Sequence, residues 1–322
     1  MESSAPEIDA EYRQAREGAG RAPLDRAWIE VSGPDAAEYL QSQVTNDIEA
    51  VGEGESVYAA LLDRKGRIQA DMRLSRVGAG EFLVDTEQEA AEALTRHLDM
   101  YRIGREVECG PVGREAVSLV GPGLAKLLTL PEGGEGSVGR LEVGGIECLA
   151  IATPWGADLA FEPGDREAVD AGLASLGIEP VGETTLEVLR VEAGRPRLGR
   201  EIGEATMPAE AGIVERAVSF EKGCYIGQEP VARLHYKGKP NRFLRGLRFD
   251  SGVPSGSALT DGERELGSVG TVVLSPAEGW IGLAIVRREA EPGQVIEVDS
   301  GDGPVQAEVV ELPFPAGSET AP

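Results

Sequence analysis

The sequence predicts an α+β protein: two related α+β units followed by a small C-terminal β-barrel. Three observations carry this. A strand, a Gly-Pro pair and a helix occur twice, with Gly33-Pro34 and Gly121-Pro122 at the same place in each unit. Each time, three strand-like runs and a second helix follow, which suits helices on one face of an antiparallel sheet. Beyond Arg242 the pattern changes to short apolar runs between glycine-rich turns, the mark of a small barrel. The expected divisions are a lead-in at 1–26, the two-unit region at 27–240, the barrel at 241–312 and a loose tail at 313–322.

Residues 1–26 are polar and read as a helical or frayed lead-in. Trp28–Val31 is a short strand. Ser32 near the cap and Pro34 in the first turn start a helix whose apolar residues Ala37, Tyr39, Leu40 and Val44 share a face. Strands at Val57–Leu62, Ile68–Leu74 and Phe82–Asp85 precede a helix at Gln88–Tyr101. The second unit reads as a strand at Val117–Val120 and a helix with Ala125, Leu127 and Leu128. Strands near Leu141–Val143, Cys148–Ala152 and Asp158–Phe161 then precede a helix at Asp165–Leu176. Gly134, Gly136 and Gly139 match a dinucleotide glycine pattern, but a strand follows them where a helix is required, so they read as a turn. Thr184–Arg195 is a helix, and barrel strands are expected at Phe243–Phe249, Val269–Leu274, Ile281–Val286 and Val295–Val298.

Composition narrows the function. The chain has 322 residues and a net charge of −25. Of its 31 basic residues only five are lysines, a balance that resembles proteins of salt-loaded cytoplasm. It argues against nonspecific nucleic-acid binding over most of the surface. No apolar run is long enough to span a bilayer, and the N-terminus lacks a signal pattern, so a cytoplasmic protein is expected. Cys109, Cys148 and Cys224 form neither a disulfide framework nor a zinc knuckle. With His97 and His235 the only histidines, no stable metal site is predicted.

One stretch reverses the sign of the charge. From Lys222 to Arg248, seven positive residues (Lys222, Arg233, Lys237, Lys239, Arg242, Arg245, Arg248) face one acid, Glu229. Such an island suits an anion. It opens with Lys222-Gly-Cys-Tyr-Ile-Gly-Gln-Glu229. The glycines permit a tight loop, and Pro230 suits the first turn of a following helix. Cys224 beside Lys222 and before a helix start reads as a reactive thiol rather than a packing residue.

This octapeptide resembles the signature of the YgfZ-type folate-binding proteins, relatives of GcvT, the aminomethyltransferase of the glycine cleavage system. Leu40-Gln-Ser-Gln-Val-Thr-Asn-Asp47 and Lys65-Gly-Arg-Ile-Gln-Ala-Asp71 are similar to the amino-terminal pattern of that group. Leu189-Arg-Val-Glu-Ala-Gly-Arg195 and Thr206-Met-Pro-Ala-Glu-Ala-Gly212 are similar to its later segments. The resemblance covers roughly 27–310. It implies a three-domain ring of the GcvT type with tetrahydrofolate, or a derivative, at the centre.

It also implies roles. The aminomethyltransferases carry two adjacent aspartates where this chain has Ala70 and Asp71, so one carboxylate is lost and one kept. By pattern alone Asp71 alternates with Arg67, Gln69 and Arg73 onto a solvated face, opposite Ile68, Ala70, Met72 and Leu74. Glu192 is implied as the pterin anchor, because a carboxylate accepts from a ring N–H and an exocyclic amino group together. The expected folate-contacting set is Glu192, Arg190, Tyr225, Gln228, Glu229 and Arg233, and the expected catalytic set Cys224, Asp71 and Lys222.

Three functions compete. The intact cysteine motif favours a tetrahydrofolate-binding accessory protein for iron–sulfur enzymes, with iron–sulfur client or assembly proteins as partners. The retained Asp71 keeps open a folate-dependent aminomethyltransferase or demethylase. An RNA-binding module ranks last, since only Tyr225, Tyr236 and Phe243 interleave with the basic residues.

Overall fold

The apolar alternation of the first unit folds as a meander whose last strand returns to its first. In the computed structural model, which describes residues 5–262, 264–301 and 303–318, the chain begins with α1 (Ala5–Glu17) and β1 (Gly20–Leu24). The first unit contains β2 (Ala27–Ser32), α2 (Ala36–Gln43), β3 (Glu55–Leu62), β4 (Ile68–Gly78), β5 (Glu81–Thr86), α3 (Gln88–Tyr101) and β6 (Glu108–Pro111). The second contains β7 (Glu115–Val120), α4 (Leu124–Leu127), β8 (Val138–Val143), β9 (Ile146–Thr153), β10 (Gly156–Phe161), α5 (Arg166–Ser175) and β11 (Glu179–Pro180).

The sheet orders are β3-β4-β5-β2-β6 and β8-β9-β10-β7-β1-β11. The first four strands of each correspond one to one, so the two units are the same device. The Gly-Pro corners repeat to the atom. Gly33 N–H donates to Gly80 and Gly121 N–H to Trp155, each at the start of the strand that pairs with its own. Both glycines have positive φ (133° and 110°), and a Cβ would lie 2.2 Å from the Glu106 carbonyl oxygen and 2.4 Å from that of Gly18. Only glycine fits there.

The units pack through Trp28 and Leu83 against Ala116, Ile151 and Ala160. Their edges also join: Ser56 N–H donates to Gly136, and Val138 N–H to Gly54. The Gly134–Gly139 stretch is thus the turn that seats β8 beside β3.

The connection runs through α6 (Glu183–Glu192), α7 (Val214–Ala217) and α8 (Gln228–Lys237). A closed six-stranded barrel follows, from β12 (Arg242–Phe249), β13 (Ala258–Thr260), β14 (Glu265–Ser275), β15 (Gly279–Arg287), β16 (Val295–Asp299) and β17 (Pro304–Val310), then α9 (Pro315–Ser318). Its core is Leu247, Leu259, Val269, Val286, Val298 and Val309 with their neighbours. The expectation of an α+β pair followed by a barrel holds. β13 and β17 escaped the sequence reading because one is three residues long and the other buries only Ala307 and Val309 of its seven residues.

Four local expectations change. The lead-in is part of the fold: β1 pairs with β7, and Tyr12 and Ala15 of α1 enter the core that joins α6 to the barrel. Residues 1–4 of that segment lie outside the described residues. α2 starts at Ala36 behind Asp35, so Ser32 ends β2 and caps nothing. A bulge near Leu61-Leu62 pairs Leu62 with Ile68, turning Ile68 away from Ala70, Met72 and Leu74. The tail is docked: Phe314 is fully buried and its N–H donates to the Glu192 carbonyl. Residues 319–322 lie outside the described residues.

Candidate functional site

Asp71 sits on β4 opposite Ala60 of β3, and that face is covered by the 202–231 segment rather than by water. The pattern alone suggested a solvated face; the tertiary packing buries it. Its Oδ2 accepts from the Tyr58 hydroxyl at 2.6 Å, while its Oδ1 is buried without a hydrogen-bond partner. Burial pushes its pKa up; Arg26 and the Tyr58 hydrogen bond oppose this without cancelling it.

Asp71 belongs to a closed circuit of polar side chains where the units, the α6 region and the barrel meet. Arg26 bonds Asp85 at 2.9 Å and Glu87 at 2.7 Å. Glu87 accepts from Arg197 at 2.8 Å. Arg197 lies within electrostatic reach of Glu187, which Arg190 holds through two hydrogen bonds. Arg190 also donates to the Arg195 carbonyl and to Glu201. Arg195 makes a two-pronged contact with Glu135. Glu135 faces Arg216, whose guanidinium lies 4.9 Å from the Tyr58 ring centroid, and Tyr58 returns the circuit to Asp71. Across the inter-unit seam Arg73 bonds both Asp85 and Asp158 at 2.8 Å. Burial opposes the Asp85 charge, but Arg73 and Arg26 hold its carboxyl below the usual range.

Two buried carboxylate oxygens stay open in this region, Asp71 Oδ1 and Glu201 Oε1. Glu201 Oε2 is engaged by Arg190 and the Arg197 N–H. Glu192, expected to be the open acid, is the reverse. It is fully buried, and its oxygens accept from Tyr12 at 2.9 Å, from Ser275 and from Arg16. That carboxylate joins α1, α6 and the barrel, and a ligand reaching it would have to displace one of those donors.

The Lys222–Glu229 loop forms a second location. Tyr225 and Val231 pack on Leu62 and Ile68 at the tip of the β3–β4 hairpin. Gly227 caps α8 with φ 83°, and its close approach to the Asp63 carbonyl excludes any Cβ. A cleft of about 620 Å3 is lined there by Arg64, Tyr101, Cys224, Tyr225, Gln228, Glu229 and Arg233 among others. Cys224 is exposed, whereas Cys148 is buried and Cys109 half-buried. Burial pushes the thiols of Cys109 and Cys148 up, that of Cys148 to about 11.

The chain thus brings Cys224, Tyr225, Gln228, Glu229 and Arg233 together and sets them apart from Asp71, Arg190 and Glu192. Lys222 does not serve the thiol. Its ammonium is buried and donates to the carbonyls of Gln41, Val44 and Asn46 at 2.6–2.7 Å. Burial pushes its pKa down to about 8. Three donors meet three acceptors at the end of α2, so the lysine is a fastener. The basic island also divides. Arg242 pairs with Glu210, Arg248 with Glu278, and Arg245 reaches Glu311. Arg233, Lys237 and Lys239 stay exposed on and after α8. Sequence reading missed Tyr58, Glu201 and Arg216, because each gains its meaning from neighbours distant in the chain.

A family model described as the GCVT N-terminal domain matches residues 2–222, and one described as the glycine cleavage T-protein C-terminal barrel domain matches residues 242–315. An aminomethyltransferase of Rubrobacter xylanophilus is 30% identical, over 95% of this chain and 86% of the relative. One of Saccharopolyspora erythraea is 31% identical, over 95% and 89%. The crystal structure of the glycine cleavage system aminomethyltransferase T from Bartonella henselae superposes with a TM-score of 0.86, covering 96% of this chain and 90% of that one at 23% identity.

Proposed function

This chain belongs to the GcvT family, and from that premise we propose that it binds a reduced folate and moves a one-carbon unit between that folate and an amine. The observation that carries the proposal is Asp71: a buried carboxyl with a raised pKa, one oxygen fixed by Tyr58 and the other open. Curated relatives named aminomethyltransferase support the same class of reaction.

The residues present fit a folate. A pterin edge offers N–H donors, and Glu201 Oε1 is a buried acceptor without one. Arg190 behind Glu201 holds its other oxygen at 3.0 Å and so orients the carboxylate. Glu192 would join the set by exchanging the Tyr12 or Ser275 hydroxyl for the ring. Exposed Arg233, Lys237 and Lys239 suit the carboxylates of a glutamate tail. Tetrahydrofolate, when bound, supplies the nitrogens that carry the one-carbon unit. The chain's own part is to exclude water and to hold or take a proton at Asp71 Oδ1. Tyr58 fixes the carboxyl through Oδ2 and so leaves Oδ1 free for that proton.

Calorimetric titration with tetrahydrofolate tests the reading. Binding is expected in the wild type and in Asp71→Asn, with one-carbon transfer lost in the variant. Absence of binding in the wild type would overturn it. Glu201→Gln and Glu192→Gln, titrated in parallel, tell which carboxylate meets the ring.

A second reading, the accessory factor for iron–sulfur enzymes, is favoured by the exposed Cys224 in its cleft. Under that reading Cys224→Ser binds folate normally but fails to restore iron–sulfur enzyme activity in cells lacking the protein. Under the transfer reading Cys224→Ser retains full turnover.

A further inference from the structure

Arg216 stands out among the partly buried arginines. The chain has 56 acidic and 31 basic residues, so a guanidinium away from water should find a carboxylate easily. Arg26, Arg73, Arg190 and Arg197 each do, and their pKa values are held up by those partners. Arg216 is half-buried, and its guanidinium lies on the Tyr58 ring with no hydrogen bond or ion pair to another side chain or carbonyl among the described residues. Its pKa is pushed down, with burial as the largest cause. The nearby acid that faces it, Glu135, is committed to Arg195.

At the hydroxyl of the same tyrosine lies an unmet acceptor. The Tyr58 hydroxyl holds Asp71 Oδ2 and leaves Oδ1 buried without a donor. One phenol therefore carries an unpaired guanidinium on its ring face and an unpaired carboxylate oxygen beside its hydroxyl. Asp71 and Arg216 also feel one another's charge. A guanidinium fork matches a carboxylate, and a carboxylate oxygen matches an ammonium or amine N–H. We propose that the amine substrate is a small free amino acid, its carboxylate on Arg216 and its amine on Asp71. This rests on the one-carbon transfer reading and names its substrate class. A bare amine would leave Arg216 unmet, and a carboxylic acid without nitrogen would leave Asp71 unmet.

The glutamate tail of folate is the other source of carboxylate, and the test separates the two. Wild-type protein is titrated with glycine, N-methylglycine, methylamine and acetate, each with and without tetrahydrofolate. The two amino acids are expected to bind at least 10-fold more tightly than either fragment. Arg216→Met should weaken amino-acid binding by about 10- to 100-fold, the worth of a charge-assisted pair, and leave tetrahydrofolate affinity unchanged. Arg216→Lys keeps the charge and loses the fork; should Arg216→Met not fold, a several-fold loss in the lysine variant carries the same information. Unchanged amino-acid affinity in the folded variant overturns the proposal. So does a loss confined to tetrahydrofolate, which would give Arg216 to the folate tail. Folate binding without amino-acid binding would sink this inference alone; amino-acid binding without folate binding would sink the transfer reading and leave the subsite standing.

Discussion

The hydroxyl of Tyr12 donates to Glu192 across 180 residues of chain, at 2.9 Å and out of contact with solvent. Arg16, one turn along α1, pairs with the same carboxylate, and Ser275 at the end of β14 donates to it as well. One buried charge therefore fastens the N-terminal helix to α6 and to the barrel. Glu192→Gln should leave the Arg16 guanidinium without its counter-charge and cost about 3–5 kcal/mol. Chemical denaturation of that variant, beside Tyr12→Phe at about 1 kcal/mol, checks this. If Glu192→Gln unfolds at the wild-type midpoint, Glu192 is no fastener.

Asp71 predicts a conflict between stability and activity. Its pKa is raised in the folded state, so the folded state binds its proton more readily than the unfolded chain does. Stability from this group is therefore lost as pH rises from the unfolded carboxyl value through the folded one. The full cost is present once the pH exceeds the folded value. Asp71→Asn should accordingly be more stable than wild type at pH 7, by about 1 kcal/mol, while losing turnover. The gain should shrink toward pH 4, as Asp71 itself takes up its proton. Thermal melts at the two pH values read the difference directly.

Lys222 should matter to folding and not to the thiol. Lys222→Met would strip the carbonyls of Gln41, Val44 and Asn46, at and just beyond the end of α2, of their donor, at a cost of about 2–4 kcal/mol. The alkylation rate of Cys224, measured under conditions where the variant is folded, should stay within about twofold of wild type. A large fall in that rate would return the lysine to the reactive site.

The Gly-Pro corners offer a test of the repeat. Gly33→Ala and Gly121→Ala each place a methyl group against a backbone carbonyl oxygen at positive φ. Each should destabilise by about 2–4 kcal/mol, and by similar amounts, because the two corners are the same structure. A tolerated alanine at either one would break the equivalence.

The sequence alone determined the elements and their class. Period-two runs, Gly-Pro corners and glycine-rich turns are local signals, and a strand or helix answers to local signals first. That is why α3 falls at Gln88–Tyr101 as its spacing predicts, and why the change at Arg242 marks the start of the barrel. The cysteine loop was legible for the same reason, being eight contiguous residues. The tertiary structure decided which charges are spent and which are open. Asp71 looked solvated because alternation gives a face, not what covers it. The basic island looked like one site because it is one stretch; folding paired Arg242 and Arg248 with distant acids and buried Lys222 on backbone carbonyls. Glu192 and Glu201 are nine residues apart and equally acidic in sequence, yet one has donors on both oxygens and the other keeps one oxygen free. Hydrogen bonds and Coulomb attraction act over a few ångströms in space and disregard separation along the chain. Hence only the packed arrangement could bring Arg216 onto the ring of Tyr58 and Asp71 onto its hydroxyl.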